Sequence, residues 1–268
     1  RADFLAVPIL IDDPGDPRIE PFRAVRERDL VGRQGRFVVE GEVVLRVLLD
    51  RSPHVAEAIL VSPPRAAALA QELMAAPCPV YQAPQSVLEA VAGFAIHRGV
   101  LALGRRSPAA PMPDLLARCG ARSLVLGLVG LTNHDNVGAA FRNAAAFGAE
   151  AVLLDGQTCD PLYRKAIRVS AGASLFVPFA RAPDPLALID ALAGAGFTPV
   201  ALSPRGRVPI AEVQVPPRAA VLLGTEGPGL PPAVMERCTT VSIPMAPGFD
   251  SLNVATAGAI ALHRFAHL

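Results

Sequence analysis

Asparagine is scarce in this chain, and its placement is the first pointer to chemistry. Of four asparagines in 268 residues, Asn133, Asn136 and Asn143 lie close together and Asn253 stands apart. The segment 132–143 follows an apolar run and opens a helical pattern. In open α/β sheets, ligands gather just beyond the carboxyl ends of strands. Asn136 is expected to cap the helix, and Gly138 allows close backbone approach. Arg142 lies one helical turn beyond Gly138 on the same face. An anion at this terminus would meet exposed N–H groups and a guanidinium. Taken alone, the segment reads equally well as a capped helix with a surface arginine.

Three further clusters share this form. At 222–231 a buried run enters a glycine-rich turn, Gly224-Thr225-Glu226-Gly227-Pro228-Gly229, holding one carboxylate. A turn with Glu226 in place of a lysine favours a neutral or cationic ligand. At 243–254 another strand-like run ends in Ile243-Pro244-Met245, followed by Ser251-Leu252-Asn253 at the start of a small-residue helix. Asp250 or Ser251 is the expected cap there. At 164–173, Arg164 and Arg168 are four apart and share a helix face suited to a phosphate backbone. Each cluster has a structural reading of its own: a tight turn, a buried terminal helix, a solvated helix face.

The elements that must position these residues fall into two groups. Apolar strand-like runs at 36–41, 55–62, 78–83 and 99–104 alternate with helical patterns at 42–49, 65–76 and 85–92, which describes a small α/β domain. Prolines at 108, 111 and 113 read as a semi-rigid linker. The expected domains are 1–106 and 115–268, joined by 107–114. In the second domain, runs at 123–131, 151–155, 174–180, 198–202, 219–224 and 241–245 are nearly continuous in apolar residues. Such runs suit strands buried on both faces of a parallel sheet. Helices are expected at 137–147, 161–171, 186–193, 233–237 and from about 251 onward.

Composition narrows the function classes. The formal net charge is +1 and 51% of residues are hydrophobic, which argues against binding nucleic acid through bulk charge alone. Lys165 is the single lysine, so positive charge is carried by arginine, whose fork suits phosphates and base edges. Cys78, Cys119, Cys159 and Cys238 form no CxxC pair, so neither a zinc site nor a disulfide framework is expected, and a reducing cytoplasm fits best. The most apolar stretch, 254–262, is too short to cross a membrane and runs into His263 and Arg264. No signal peptide is expected, because the 5–11 run is broken by Pro8; the chain opens at Arg1, as a trimmed N-terminus would.

The four clusters, occurring together in one order along the chain, resemble the SpoU/TrmH family of RNA 2′-O-methyltransferases over about the last 140 residues. Asn136, Gly138, Arg142, Asn143 and Ala144 match its first motif. Gly224, Glu226, Gly227, Gly229 and Leu230 match the second, with Thr225 where the family has Asn. Ile243, Pro244, Met245, Ser251, Leu252, Asn253 and Val254 match the third, with Ala255 where the family has Ser. The first domain, through Arg28, Arg33, Phe37 and Glu40-Gly41, is similar to the family's substrate-binding domain, itself like a ribosomal L7Ae-type protein. Arginines at 18, 23, 26, 28, 33 and 36 make this segment locally basic.

The resemblance implies a parallel-sheet SPOUT domain tied in a trefoil knot, a homodimer with the site completed across the interface, and S-adenosylmethionine as methyl donor. It implies that Leu202, Gly224, Gly227, Ile243 and Leu252 hold the cofactor. Glu226, Ser251 and Asn253 would order the site, and Asn136 and Arg142 would face the ribose and its phosphate. Arg28, Arg33, Arg164 and Arg168 are the expected RNA contacts. A guanidinium holds its proton far above neutral pH and is a poor base, so an RNA phosphate taking the proton while Arg142 positions it is at least as good a reading as Arg142 as base. The main alternative is a non-catalytic RNA-binding relative. An oxidoreductase would need a GxGxxG turn and a serine hydrolase a GxSxG elbow, and neither is present.

Overall fold

The computed structural model describes residues 8–23, 27–93, 96, 98–249 and 251–266, with backbone alone at 27–29. Arg26 and Asp250, and the side chain of Arg28, therefore lie outside the described residues. The chain divides into two compact units. One comprises the chain up to Ser107 together with Leu162–Phe176; the other comprises Pro108–Pro161 and the chain from Val177 onward.

The first unit runs through β1 (Ile9–Leu10), α1 (Glu27–Arg33), β2 (Arg36–Glu40), α2 (Glu42–Asp50), β3 (Val55–Val61), α3 (Pro63–Ala68), α4 (Ala70–Met74), β4 (Val80–Gln82), α5 (Gln85–Ala92) and β5 (Val100–Arg105). Its sheet has the order β1-β4-β3-β5-β2, with β5 antiparallel to β2 and β3 and the remaining pairs parallel. Phe37 on β2 is fully buried opposite Gly104 on β5. A Cβ at residue 104 would sit 2.4 Å from the Phe37 ring, so only glycine leaves room for it. The single helix expected at 65–76 is two short ones, broken at Leu69.

Leu162–Phe176 packs as part of this unit. It contains α8 (Arg164–Val169), which lies against β2. Arg164 Nη1 donates to Oε2 of the buried Glu40 at 3.0 Å. The Ser52 hydroxyl donates to the Leu175 carbonyl at 3.0 Å, and the Arg51 guanidinium lies 3.7 Å from the centre of the Phe176 ring. The strand expected at 174–180 is mostly absent. Gly172 turns the chain with φ +85°, a 3-10 turn follows at Ala173–Leu175, and only Phe179–Arg181 (β8) reaches the sheet. Leu175 and Val177, two of the apolar residues that suggested a strand, are buried without belonging to one.

The second unit contains α6 (Met112–Ala117), β6 (Ser123–Leu128), α7 (His134–Ala146), β7 (Ala151–Leu154), β8, α9 (Pro185–Gly194), β9 (Thr198–Leu202), β10 (Val208–Pro209), β11 (Arg218–Leu223), α10 (Pro232–Met235), β12 (Thr239–Ser242) and α11 (Val254–Phe265). Helix α6 begins within the stretch read as linker. The sheet has the order β10-β12-β9-β11-β6-β7-β8 and is parallel throughout. Strands β6, β7 and most of β11 are fully buried, which explains their unbroken apolar sequences.

The strand order carries a threaded connection. After β9 the chain reaches β10 at the edge, then returns to β11 on the other side of β9. Strand β12 later enters between β10 and β9, inside the loop already made. A Cβ at Gly206 would sit 2.2 Å from the Val241 carbonyl carbon, so two backbone segments cross there in direct contact. General rules of chain connection disfavour such threading. It is the arrangement that the trefoil knot of the SPOUT fold requires.

Candidate active site

The site lies where β9, β11 and β12 end. Residues at or just past the end of each strand line one cavity. Leu202, Ser203 and Pro204 come from the end of β9; Leu223, Gly224, Thr225, Glu226, Gly227 and Gly229 from the end of β11; Ile243 and Met245 from just past β12; Ser251, Leu252, Val254 and Ala257 from the approach to α11 and its first turn. The cavity has a volume of about 150 Å³ and opens to solvent.

The turn after β11 is built on its glycines. Gly227 and Gly229 adopt φ of +87° and +73°, which L side chains rarely do, and a Cβ at either would meet nothing within 4 Å. Their backbone is therefore open to a ligand. Thr225 closes the turn: its hydroxyl donates to the Gly229 carbonyl at 3.2 Å, and Gly229 N–H donates back to the Thr225 carbonyl. This accounts for a threonine serving where the family motif carries asparagine.

Beside the cavity, three polar side chains from three distant segments form a closed set. Asn136 Nδ2 donates to Glu226 Oε1 at 2.9 Å. Asn253 Nδ2 donates to Asn136 Oδ1 at 3.0 Å and to Glu226 Oε1 at 3.3 Å. The direction of this network is fixed by a helix end. Asn253 Oδ1 accepts from the N–H groups of Ala255 and Thr256, capping α11. Its amide nitrogen must then face Asn136 and Glu226, which in turn makes Asn136 Oδ1 an acceptor. Asn136 is left with one N–H and one lone pair for a ligand. Asn143 adds a second tie, donating to the Ala255 carbonyl at 2.8 Å.

Two expectations about caps are corrected here. Helix α7 starts at His134 and is capped by Asn133, whose Oδ1 accepts from Asp135 N–H at 2.8 Å. Asn136 sits inside the first turn, buried, so its amide is released for the network. Likewise α11 is capped by Asn253, later than Asp250 or Ser251. Good capping residues stand close together in both places, and packing selects Asn133 and Asn253, leaving Asn136 in the network and Ser251 on the cavity wall.

The loop into α7 is held from below by Asp155, which is 1% exposed. Its Oδ1 accepts from Gly130 N–H at 3.0 Å, Thr158 N–H at 2.8 Å and the Thr158 hydroxyl at 2.6 Å. Neither Asp155 nor Thr158 stands out in the sequence, because they bind each other and the backbone of Gly130 and Leu131, a separate segment of the chain. Ser203 and Pro204 were also missed; their signal was the end of an apolar run beside β11.

The expected cofactor residues Leu202, Gly224, Gly227, Ile243 and Leu252 all line the cavity, as do Glu226 and Ser251. Asn136 and Asn253 stand beside it through Glu226. Arg142 is exposed on α7 and does not line it. Arg33, Arg164 and Arg168 belong to the first unit; Arg164 is tied to Glu40 and Arg168 is exposed. Burial pushes the thiols of Cys78, Cys159 and Cys238 up to about 11, which makes them poor nucleophiles at neutral pH. Among the described residues no group of three His, Cys, Asp or Glu is placed to hold a metal ion, and no helix is long and apolar enough to cross a membrane.

Comparison with known proteins points the same way. An uncharacterized tRNA/rRNA methyltransferase of Mycobacterium tuberculosis is 39% identical over 260 residues, covering 94% of this chain and 89% of that one. The crystal structure of an RNA 2′-O ribose methyltransferase is 28% identical, covers 96% of this chain and 98% of its own, and gives a TM-score of 0.78. An AdoMet-bound rRNA methyltransferase from Sinorhizobium meliloti shares the fold, with a TM-score of 0.83 at 23% identity over 96% of each chain. The model of the SpoU rRNA methylase family matches residues 123–263, more than half of the chain and the span that holds every residue of the cavity, and the chain belongs to that family.

Proposed function

We propose that this protein transfers a methyl group from S-adenosylmethionine to a ribose 2′-hydroxyl of RNA, ribosomal RNA being favoured over transfer RNA. The observation that carries the reading is the joining of three strand ends into one cavity beside the Asn136–Glu226–Asn253 set. The cavity suits the cofactor. Leu202, Ile243 and Leu252 offer apolar contact for a purine and a methionine chain, and the open backbone at Gly227 and Gly229 offers polar groups without side chains in the way. When bound, S-adenosylmethionine supplies an electrophilic methyl group.

The chain's own task is to present the 2′-oxygen and to manage its proton. Alignment of two bound reactants accounts for a large part of such a rate enhancement. Asn136, locked by Glu226 and Asn253, offers its remaining N–H and lone pair to the ribose. Arg142 holds the neighbouring phosphate, which takes the 2′-hydroxyl proton; the guanidinium stays charged throughout. Arg142 lies outside the cavity of its own chain, as a site completed across a homodimer interface requires. The exposed apolar side chains Phe249, Leu252 and Ile260, around the start and outer face of α11, support such an interface. The first unit, with Arg28, Arg33 and Arg168, supplies further RNA contacts, and its likeness to a ribosomal-protein fold favours ribosomal RNA.

The test is transfer of labelled methyl from S-adenosylmethionine to total RNA, followed by alkaline hydrolysis. Label in alkali-resistant dinucleotides is the expected result, and fractionating the RNA identifies the substrate. A protein that binds RNA but neither binds the cofactor nor transfers label would instead be a non-catalytic relative.

A further inference from the structure

Arginine in this protein is usually a structural residue. In the second unit, Arg181 donates to the carbonyls of Asp155 and Thr158, and Arg218 to those of Leu116, Cys119 and Gly120 while lying over Phe197. Arg264 donates to the Val213 carbonyl, Arg237 pairs with Asp190, and Arg122 also has a partner. Among the described residues, the side chains of Arg118, Arg142, Arg205 and Arg207 of this unit have no hydrogen-bond or ion-pair partner. Arg118 ends α6, at the amino-terminal side of the sheet. Arg205 and Arg207 are exposed and stand at the carboxyl-terminal side, directly after the cavity residues Ser203 and Pro204.

Their backbone is rigid. Ser203 N–H donates to the Val241 carbonyl at 2.9 Å, and Arg205 N–H to the Ser203 hydroxyl at 3.2 Å. Arg207 N–H donates to the Thr240 hydroxyl at 3.2 Å, and Gly206 is pressed on β12 with no room for a Cβ. Two uncompensated cations are thus fixed on the rim of the cavity at the crossing of the knot. Neither belongs to the motifs that carry the family resemblance. Two residues span at most about 7 Å, within reach of adjacent phosphates on one strand.

We propose that Arg205 and Arg207 form a contact for the RNA backbone at the cavity rim, gripping phosphates that flank the target ribose. This rests on the reading of the protein as an RNA methyltransferase and assigns part of its substrate surface. It predicts that affinity for RNA, and its dependence on salt, falls when these charges are removed, while cofactor affinity does not change.

The experiment uses the full chain and a fluorescein-labelled single-stranded RNA of mixed sequence, with anisotropy read from low to moderate salt. The double variant R205Q/R207Q is expected to bind about tenfold more weakly at low salt. The slope of log affinity against log salt should fall by about 1.4, the value for two phosphate contacts on a single strand. R118Q should match the unmodified protein in both readings. Calorimetric titration with S-adenosylmethionine should be the same for all three. RNA binding and slope unchanged in the double variant would overturn the proposal, as would loss of cofactor affinity, which would place the loop in the cofactor pocket instead. No RNA binding by the unmodified protein would overturn it as well. Failure of the unmodified protein to bind S-adenosylmethionine, with the RNA slopes as expected, would sink the methyltransferase reading alone.

Discussion

The two units differ in how they use arginine. In the first, six arginines are tied to carboxylates: Arg18 to Asp16, Arg36 and Arg105 to Glu57, Arg46 to Glu72, Arg65 to Glu42 and Arg164 to Glu40. In the second, Arg237 pairs with Asp190, but the exposed Arg142, Arg205 and Arg207 have no such partner among the described residues, and the polar set beside the cavity is two amides and a carboxylate. A guanidinium already held by a carboxylate must break that pair before it can bind a phosphate. The density of arginine in a sequence is therefore a poor guide to where RNA binds. Arg164 shows this most clearly: read as a phosphate contact from its spacing, it faces the buried Glu40.

The comparison predicts a graded series of effects. The largest is at Arg142. Arg142→Ala should lower methyl transfer by about 10²–10³-fold or more, as loss of a fixed charge stabiliser does, while calorimetric titration shows cofactor affinity intact. Loss of cofactor binding would refute the assignment. Next is Glu226→Ala, which strips the shared acceptor from Asn136 and Asn253. A ten- to hundredfold fall in kcat is expected, with partial recovery in Glu226→Gln, whose oxygen can still accept. Equal damage in both variants would show that the charge, and not the orientation of the two amides, is what matters.

Arg164→Ala should act on stability. Removing one partner of a mostly buried pair leaves Glu40 with an uncompensated charge, and the first unit should unfold at about 3 kcal/mol lower stability in a urea titration. A variant of normal stability with a raised KM for RNA would restore Arg164 as an RNA contact and break the contrast between the units. The smallest effect belongs to Asp16. Its half-buried carboxyl is lowered to about 2, first by the side-chain hydrogen bond from Arg18 and then by the Arg18 N–H. A depressed carboxyl pKa contributes stability above its unfolded value, near 4, and loses it as pH falls toward 2. Asp16→Asn should therefore narrow the stability difference between pH 5 and pH 2 slightly. An acid-unfolding curve identical to that of the unmodified protein would remove this pair from the account.

The residues of the cavity were legible because chemistry constrains their type. Glycines at 227 and 229 are demanded by positive φ, and scarce asparagines stand out in an alanine-rich background. The buried parallel strands were legible because burial on both faces leaves an unbroken apolar run. Where one residue type serves two roles, the sequence was silent. Asn133 and Asn136 are equally good caps in isolation, and the apolar run at 174–180 is equally good as a strand or as a packed turn. Asp155 and Thr158 left no mark, since what they hold is backbone.

By itself, then, the sequence determined the class of fold, the family and the residue types that line the cavity, because local propensity, burial and motif order are properties of short segments. The tertiary structure decided which asparagine caps and which faces the ligand. It also decided which arginine side chains are held by other residues and which, among the described residues, are not, and it threaded β12 between β9 and β10. Those outcomes depend on partners tens of residues or more away, and a side chain's role is set by the partner that reaches it first.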